Sequence, residues 1–291
     1  MNIDLHIHSK SSDGKFTVEE IINEAKARNI GFLSVTDHDS IVCQTHTSTL
    51  AKKAGLQYVS GVELNITFSH PKYREGQPTS LDFLGYQFDP NNQPLKNKLD
   101  LMAKYREERG AKILDNLNAE FAKEGIEKLT KVDLAEIEAS VDGVLGRPHI
   151  ADYLVKKQIV KTRQEAFDRY LVKCDVPKFP LYLEAASELV RNAGGKLVLA
   201  HPNDPHGTSL AALTKSLPEQ TEIVQDSMLK FIDGVECWHS RNDAVTTEHY
   251  MKFAKEYGLL MTGGSDCHQK PILMGTVQVP DYVANQFKLG F

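Results

Sequence analysis

Six strand-like segments of this chain end in histidines or carboxylates: His6 and His8, Asp37 and His38, Glu63, His201, His239, and Asp266 with His268. The first of them, Asn2-Ile3-Asp4-Leu5-His6-Ile7-His8, alternates strictly, with Ile3, Leu5 and Ile7 on one face. Period-two alternation is a strand signal, and it sets His6 and His8 side by side on the other face, about 7 Å apart at Cα. Between the strand-like segments lie helical patterns. Val18, Ile21, Ile22 and Ala25 follow helical spacing behind a Thr17/Glu20 capping box, and a second helix from about Val42 stops before Gly55. Further strands are expected over 57–68, 80–88, 196–200, 234–238 and 259–262, and further helices over 184–192 and 244–257. Repeated βα units point to parallel strands covered by helices and curled into a barrel, and in such folds chemistry gathers at the carboxyl ends of the strands.

The rhythm breaks between Pro94 and Phe179, where long and short helical patterns follow one another. The expected organisation is therefore a barrel built from residues 1–93 and 180–291, with an inserted helical subdomain at 94–179. Composition narrows the function classes. The 291 residues carry 34 Lys plus Arg against 39 Asp plus Glu, a net charge of −5, which disfavours a surface made for long duplex nucleic acid. No apolar run approaches the roughly 18 residues needed to span a bilayer. The sequence opens directly on a strand pattern without a secretion leader, and Cys43, Cys174, Cys237 and Cys267 are scattered without a CxxC pair. A reduced, cytoplasmic enzyme is the expectation.

A lone His-x-His among eleven histidines says little. Joined by Asp13, Asp37-His38, Glu63, His201 and Asp266-x-His268, it implies a shared ion site, because buried charges without partners or metals cost several kcal/mol each. His46 and His249 fall within helical patterns and read as surface residues; Cys267 and Trp238 read as packing.

The ordered set Asp4-Leu5-His6-Ile7-His8-Ser9, Ser12-Asp13-Gly14, Thr36-Asp37-His38-Asp39, Gly61-Val62-Glu63, Gly146-Arg147-Pro148-His149, Leu199-Ala200-His201-Pro202, Gly234-Val235-Glu236 and Gly264-Ser265-Asp266-Cys267-His268 resembles the PHP (polymerase and histidinol phosphatase) superfamily. The likeness is to its small-molecule phosphoesterases with an inserted helical subdomain. It implies an α/β fold, a distorted (β/α)7 barrel, and two or three divalent metal ions (Mn, Fe or Zn). His6, His8, Glu63 and Asp266 would hold one ion, Asp13, His38 and His268 a second, and bridging Glu63 with His201 a third. Where relatives carry a histidine for that third ion, this chain has Asp82; Asp82 is the expected replacement, with His70, or a weak or empty third site, as the alternatives.

Arg147 and His149 at a helix start, together with Lys173 and Arg241, are the expected substrate-binding cations, Arg147 foremost because a guanidinium grips phosphate bidentately. His239 is the expected general acid, and Glu236 the carboxylate that orients a ligand. The implied activity is hydrolysis of a small phosphorylated substrate by attack of a metal-bridging hydroxide. Nucleoside 3′,5′-bisphosphates or the 5′ end of a short oligoribonucleotide are the implied substrates. A histidinol-phosphatase-like monoesterase and a non-catalytic, metal-stabilised PHP module are the alternatives.

Overall fold

The computed structural model describes residues 1–140, 146–206 and 208–287, so residues 141–145 of the expected insert and Gly207 lie outside the described residues. Two sheets form the centre. One contains β1 (Asn2–Asp4), β2 (Ile30–Leu33) and β3 (Gln57–Tyr58), all parallel. The other runs in the order β4 (Gly61–Phe68), β5 (Thr79–Tyr86), β6 (Lys196–Leu199), β7 (Gly234–His239), β8 (Leu260–Gly264).

The parallel expectation fails at β5, which pairs antiparallel with both β4 and β6. A ten-residue loop joins β4 to β5 with no crossover helix, and a connection of that kind returns a strand antiparallel. The sheets meet at both margins through short bridges. Ile7 pairs with Cys267 and Leu5 N–H donates to Gly263 O at 3.1 Å, while His38 pairs with Glu63 and Asp39 N–H donates to Glu63 O at 2.7 Å. Among the described residues these bridges do not make one continuous, closed barrel sheet.

Helices α1 (Val18–Ala27) and α2 (Gln44–Lys53) cover the first sheet. The Thr17 hydroxyl accepts from Glu20 N–H, and the Glu20 carboxylate accepts from Thr17 N–H, so the expected capping box forms. Gly55 follows α2 at φ 73°, a left-handed conformation that costs glycine nothing.

The 32-residue α3 (Gln93–Glu124) spans two hydrophobic clusters. Leu95, Leu99 and Met102 pack into the main core with the second sheet, whereas Leu117 and Phe121 pack with Tyr170, Leu154 and Ile137. The second cluster also draws on α4 (Lys131–Ala139), α5 (Arg147–Lys156) and α6 (Arg163–Ala166). The chain then continues α6 as one π-helical turn over Phe167–Leu171. Helices α7 (Leu183–Asn192), α8 (Leu217–Ser227) and α9 (Ala244–Glu256) cover the rest. The sequence reading passed over α8, whose polar run leaves only Gln220, Thr221, Ile223 and Val224 buried.

Candidate metal centre and phosphate cavity

The segment after β1 buries both of its faces. Leu5 and Ile7 are inaccessible on one side, and His6 and His8 on the other. Buried carboxylates set the orientation of these imidazoles from behind. Glu236 on β7 reaches His6 Nδ1 at 3.0 Å with Oε1, and its Oε2 accepts from His201 N–H at 2.8 Å. His6 Nε2 is thereby turned toward His8 and Glu63, the orienting role expected of Glu236.

Asp37, read from the sequence as part of the constellation, instead accepts from Ser9 N–H at 2.8 Å and from the Ser9 and Ser12 hydroxyls at 2.7 Å each, which ties down the loop carrying Asp13. Asp4 accepts from Ser265 and Gly275 N–H at 2.9 Å each and fixes the loop after β8. Asp266 and His201 take left-handed backbone, φ 54° and 23°. That conformation disfavours side chains other than glycine and clusters at functional sites.

Glu63 lies at the centre. Its Oε2 is 3.1 Å from His38 Nδ1, 3.2 Å from His8 Nε2 and 3.5 Å from His6 Nε2, and its Oε1 is 3.0 Å from His201 Nε2. Asp266 Oδ1 is 3.4 Å from His6, 3.3 Å from His8 and 3.4 Å from His268. Asp13 Oδ1 is 3.2 Å from His268 Nε2, and Asp13 Oδ2 is 3.9 Å from His38 Nε2. Ligand atoms within 4.8 Å of one another come from His8, Asp13, His38 and His268; from His6, His8 and Glu63; from His6, His239 and Asp266; and from His38, Glu63 and Asp82.

Burial alone would raise the pKa of Glu63, Asp13 and Asp266, but the surrounding imidazoles hold all three well below the usual carboxylate range. The histidines respond in kind. Burial works against charge on His8, yet Asp266 and Glu63 push it up to about 10, and Glu63 likewise lifts His201 to about 9. His38 is the exception, held down to about 4 mainly by burial.

The donor set fits divalent ions. His8 Nδ1, Asp13 Oδ1, Glu63 Oε2, His201 Nδ1 and His239 Nε2 are buried without a hydrogen bond, which is costly unless something else satisfies them. Mixed imidazole–carboxylate donors suit Mn, Fe or Zn.

A cavity of about 350 Å³ opens over this cluster, lined on the ligand side by Asp13, His38, Glu63, Asp82, His201, Asp266 and His268. The same cavity is lined by Arg106, Arg109, Arg147, His149, Lys178 and Arg241, the last with its Nη1 3.9 Å from Asp266 Oδ2. Of the expected substrate cations, Arg147, His149 and Arg241 reach the cavity. Arg147 Nη1 pairs with Asp175 at 2.7 Å, His149 Nδ1 accepts from Gly146 N–H at 3.0 Å, and Arg241 pairs with Asp204.

Lys173 does not reach it. Its ammonium pairs with Glu120 at 2.7 Å on the outer surface of the helical region. His70, the alternative to Asp82, is also elsewhere, buried between Phe68 and Tyr73 with Nδ1 accepting from Lys72 N–H. His239 is not on the cavity wall; its Nε2 lies 3.5 Å from Asp266 Oδ2, among ligand atoms, a place that suits coordination better than proton donation to a leaving group.

Arg106, Arg109 and Lys178 were missed. Arg106 and Arg109 sit three apart on α3, a same-face spacing that sequence could have flagged. Lys178 lies in an irregular stretch with no pattern to mark it. Burial pulls it down to about 8, still largely protonated at neutral pH, and Asp82 opposes the pull. Asp82 itself is raised to about 7 by burial and by the nearby Glu63 charge.

Among curated proteins, a 5′-3′ exoribonuclease of Haemophilus influenzae is 29% identical to this chain over 272 residues, covering 91% of this chain and 89% of the relative. A 3′,5′-nucleoside bisphosphate phosphatase of Chromobacterium violaceum is 27% identical, covering 92% and 87%. A solved structure from Bifidobacterium adolescentis, described as a candidate metal-dependent phosphoesterase, superposes with a TM-score of 0.79 at 27% identity over 98% of this chain and 94% of that one. The PHP domain matches residues 4–176, more than half of the chain. With this match, and with the histidine–carboxylate cluster where the motifs converge, the chain belongs to the PHP domain family.

Proposed function

We propose that this chain is a metal-dependent phosphoric ester hydrolase acting on a small phosphorylated nucleotide, a nucleoside 3′,5′-bisphosphate or the 5′ end of a short oligoribonucleotide. The observation that carries the reading is the pairing, around one cavity, of a buried histidine–carboxylate cluster having unsatisfied donor atoms with guanidinium and ammonium groups. The names of the Haemophilus and Chromobacterium relatives support the substrate class.

In this reading His6, His8, Glu63 and Asp266 hold one ion, with His239 joining them through Asp266, and Asp13, His38 and His268 hold another. Such ions supply a nucleophile at neutral pH and offset phosphoryl charge during displacement. The residues of the chain do the positioning: Glu236 orients His6, Asp37 fixes the Asp13 loop, and Arg147 with His149 at the start of α5 receives a second phosphate. We also read the two bridged sheets as one distorted (β/α)7 barrel, and 94–179 as an inserted helical subdomain. A separate hydrophobic cluster supports that insert, although the first half of α3 packs into the barrel core.

The test is a phosphate-release panel with Mn²⁺-loaded protein. The expected result is that Arg147→Ala lowers kcat/KM on a nucleoside 3′,5′-bisphosphate by about ten- to a hundredfold, a charge-assisted hydrogen bond's worth, and changes a simple aryl phosphate little. Equal losses on both would remove Arg147 as a specificity residue.

A further inference from the structure

Five cations line the cavity, and four already have a carboxylate. Arg106 pairs with Asp39, Arg109 and Arg147 share Asp175, and Arg241 pairs with Asp204. Arg109 is further tied to the Val176 carbonyl at 2.5 Å. Lys178 is the exception: among the described residues its ammonium makes no hydrogen bond and no ion pair, although it lies in the cavity wall and its charge is felt by Asp82. A solvent-edge lysine without a partner is ordinary. One lining a cavity of about 350 Å³ beside a carboxylate-rich cluster is a cation held ready for an anion.

A third ion would sit between Glu63, His201 and Asp82. Glu63 and Asp82 converge there with His38, but the histidine that should complete the corner does not join them. His201 belongs to none of the groups whose donor atoms converge within 4.8 Å. Both oxygens of Asp82 are engaged: Oδ1 accepts from Asn65 Nδ2 at 2.5 Å and Oδ2 accepts from the Thr208 hydroxyl. His201 Nε2 is taken up by Glu63 Oε1 at 3.0 Å. A carboxylate already holding two donors from this chain is a poor ligand for an ion; as a counter-charge for a nearby ammonium it is well placed.

We propose that this chain holds two divalent ions, and that the Lys178 ammonium, countered by Asp82, supplies the positive charge that a third ion would otherwise bring to a bound phosphoryl group. The inference rests on the hydrolase reading above but goes beyond it. It concerns how many ions the chain takes and which residue replaces the missing one. The unpartnered lysine and the occupied Asp82 explain each other. An aspartate in place of a histidine removes a neutral ligand and adds a charge, and the charge is suited to holding an ammonium.

The experiment combines ion counting with phosphate binding. Wild-type protein dialysed against Mn²⁺ should contain two ions per chain by inductively coupled plasma mass spectrometry. Lys178→Met should still contain two, with an unchanged circular dichroism spectrum, but inorganic phosphate should inhibit it about ten- to a hundredfold more weakly, and Lys178→Arg should recover part of that loss. The double variant Lys178→Met with Asp82→His should take up a third ion. Three ions in the wild type, or a phosphate inhibition constant unmoved in Lys178→Met, would overturn the proposal and leave the hydrolase reading standing. A wild type that binds no ion would overturn both.

Discussion

At the scale of single residues, the cluster depends on charges that cancel one another. Glu63 touches four imidazoles at 3.0–3.5 Å, and the imidazoles around it keep its carboxylate ionised, although His38 is itself held neutral by burial. In the ion-free protein His8 and His201, at about 10 and about 9, hold protons at pH 7. Ions bind neutral imidazole, so loading must expel those protons, and affinity must strengthen as pH rises. Mn²⁺ titration by calorimetry in two buffers of different ionisation enthalpy should therefore show net proton release at pH 7; the same heat in both buffers would contradict this charge assignment.

The backbone beneath is equally constrained. A methyl group on Gly264 would lie 2.4 Å from His6 N and 2.5 Å from His6 Cβ. Gly264→Ala should cost about 1–3 kcal/mol in urea unfolding and weaken Mn²⁺ retention, since His6 must move to make room. An unchanged unfolding midpoint with full retention would show that His6 has freedom the packing denies it.

At the scale of elements, most of the fold was legible because local chemistry and tertiary packing agree. The Thr17 box and the glycine after α2 each specify one local structure, and each forms; the alternation before His8 gives a strand only over Asn2–Asp4, with Ile7 adding an isolated bridge. What was not legible depended on distant partners. The direction of β5 is set by the absence of a crossover helix, and the break between β3 and β4 by their membership of different sheets. The split of α3 between two clusters is written in which apolar residues face which neighbour, and spacing alone does not reveal that.

The second cluster makes its own prediction. Leu117 is fully buried there with Phe121 and Tyr170, far along α3 from the ligand residues. Leu117→Ala should destabilise the helical region by about 2–5 kcal/mol in urea, seen by circular dichroism, and leave Mn²⁺ retention in native buffer unchanged. Loss of the ions together with the helices would show that the two clusters fold as one unit.

At the scale of the whole molecule, charge is segregated. The chain carries a net charge of −5, yet its central cavity gathers three arginines from the helical region together with Lys178 and Arg241. Such an arrangement draws a small polyanion into one cleft while the rest of the surface repels extended ones. Among the described residues, no helix is long and apolar enough to cross a membrane.

The sequence brought most of the candidate ligands to notice because they recur at strand ends, with Asp82 added by the family resemblance, and the fold places His6, His8, Asp13, His38, Glu63, Asp82, Asp266 and His268 in mutually close groups, with His201 against Glu63. The cationic lining was only half legible, since Arg106, Arg109 and Lys178 come from a helix face and an irregular stretch with no motif around them.

Anomalous diffraction from Mn²⁺-soaked crystals, collected above the manganese edge, tests most directly whether distant parts of the chain meet to trap divalent ions. Peaks are expected in the His6–His8–Glu63–Asp266 cluster and in the Asp13–His38–His268 cluster. A map with no anomalous density among these residues, from crystals grown and soaked at neutral pH, would contradict it.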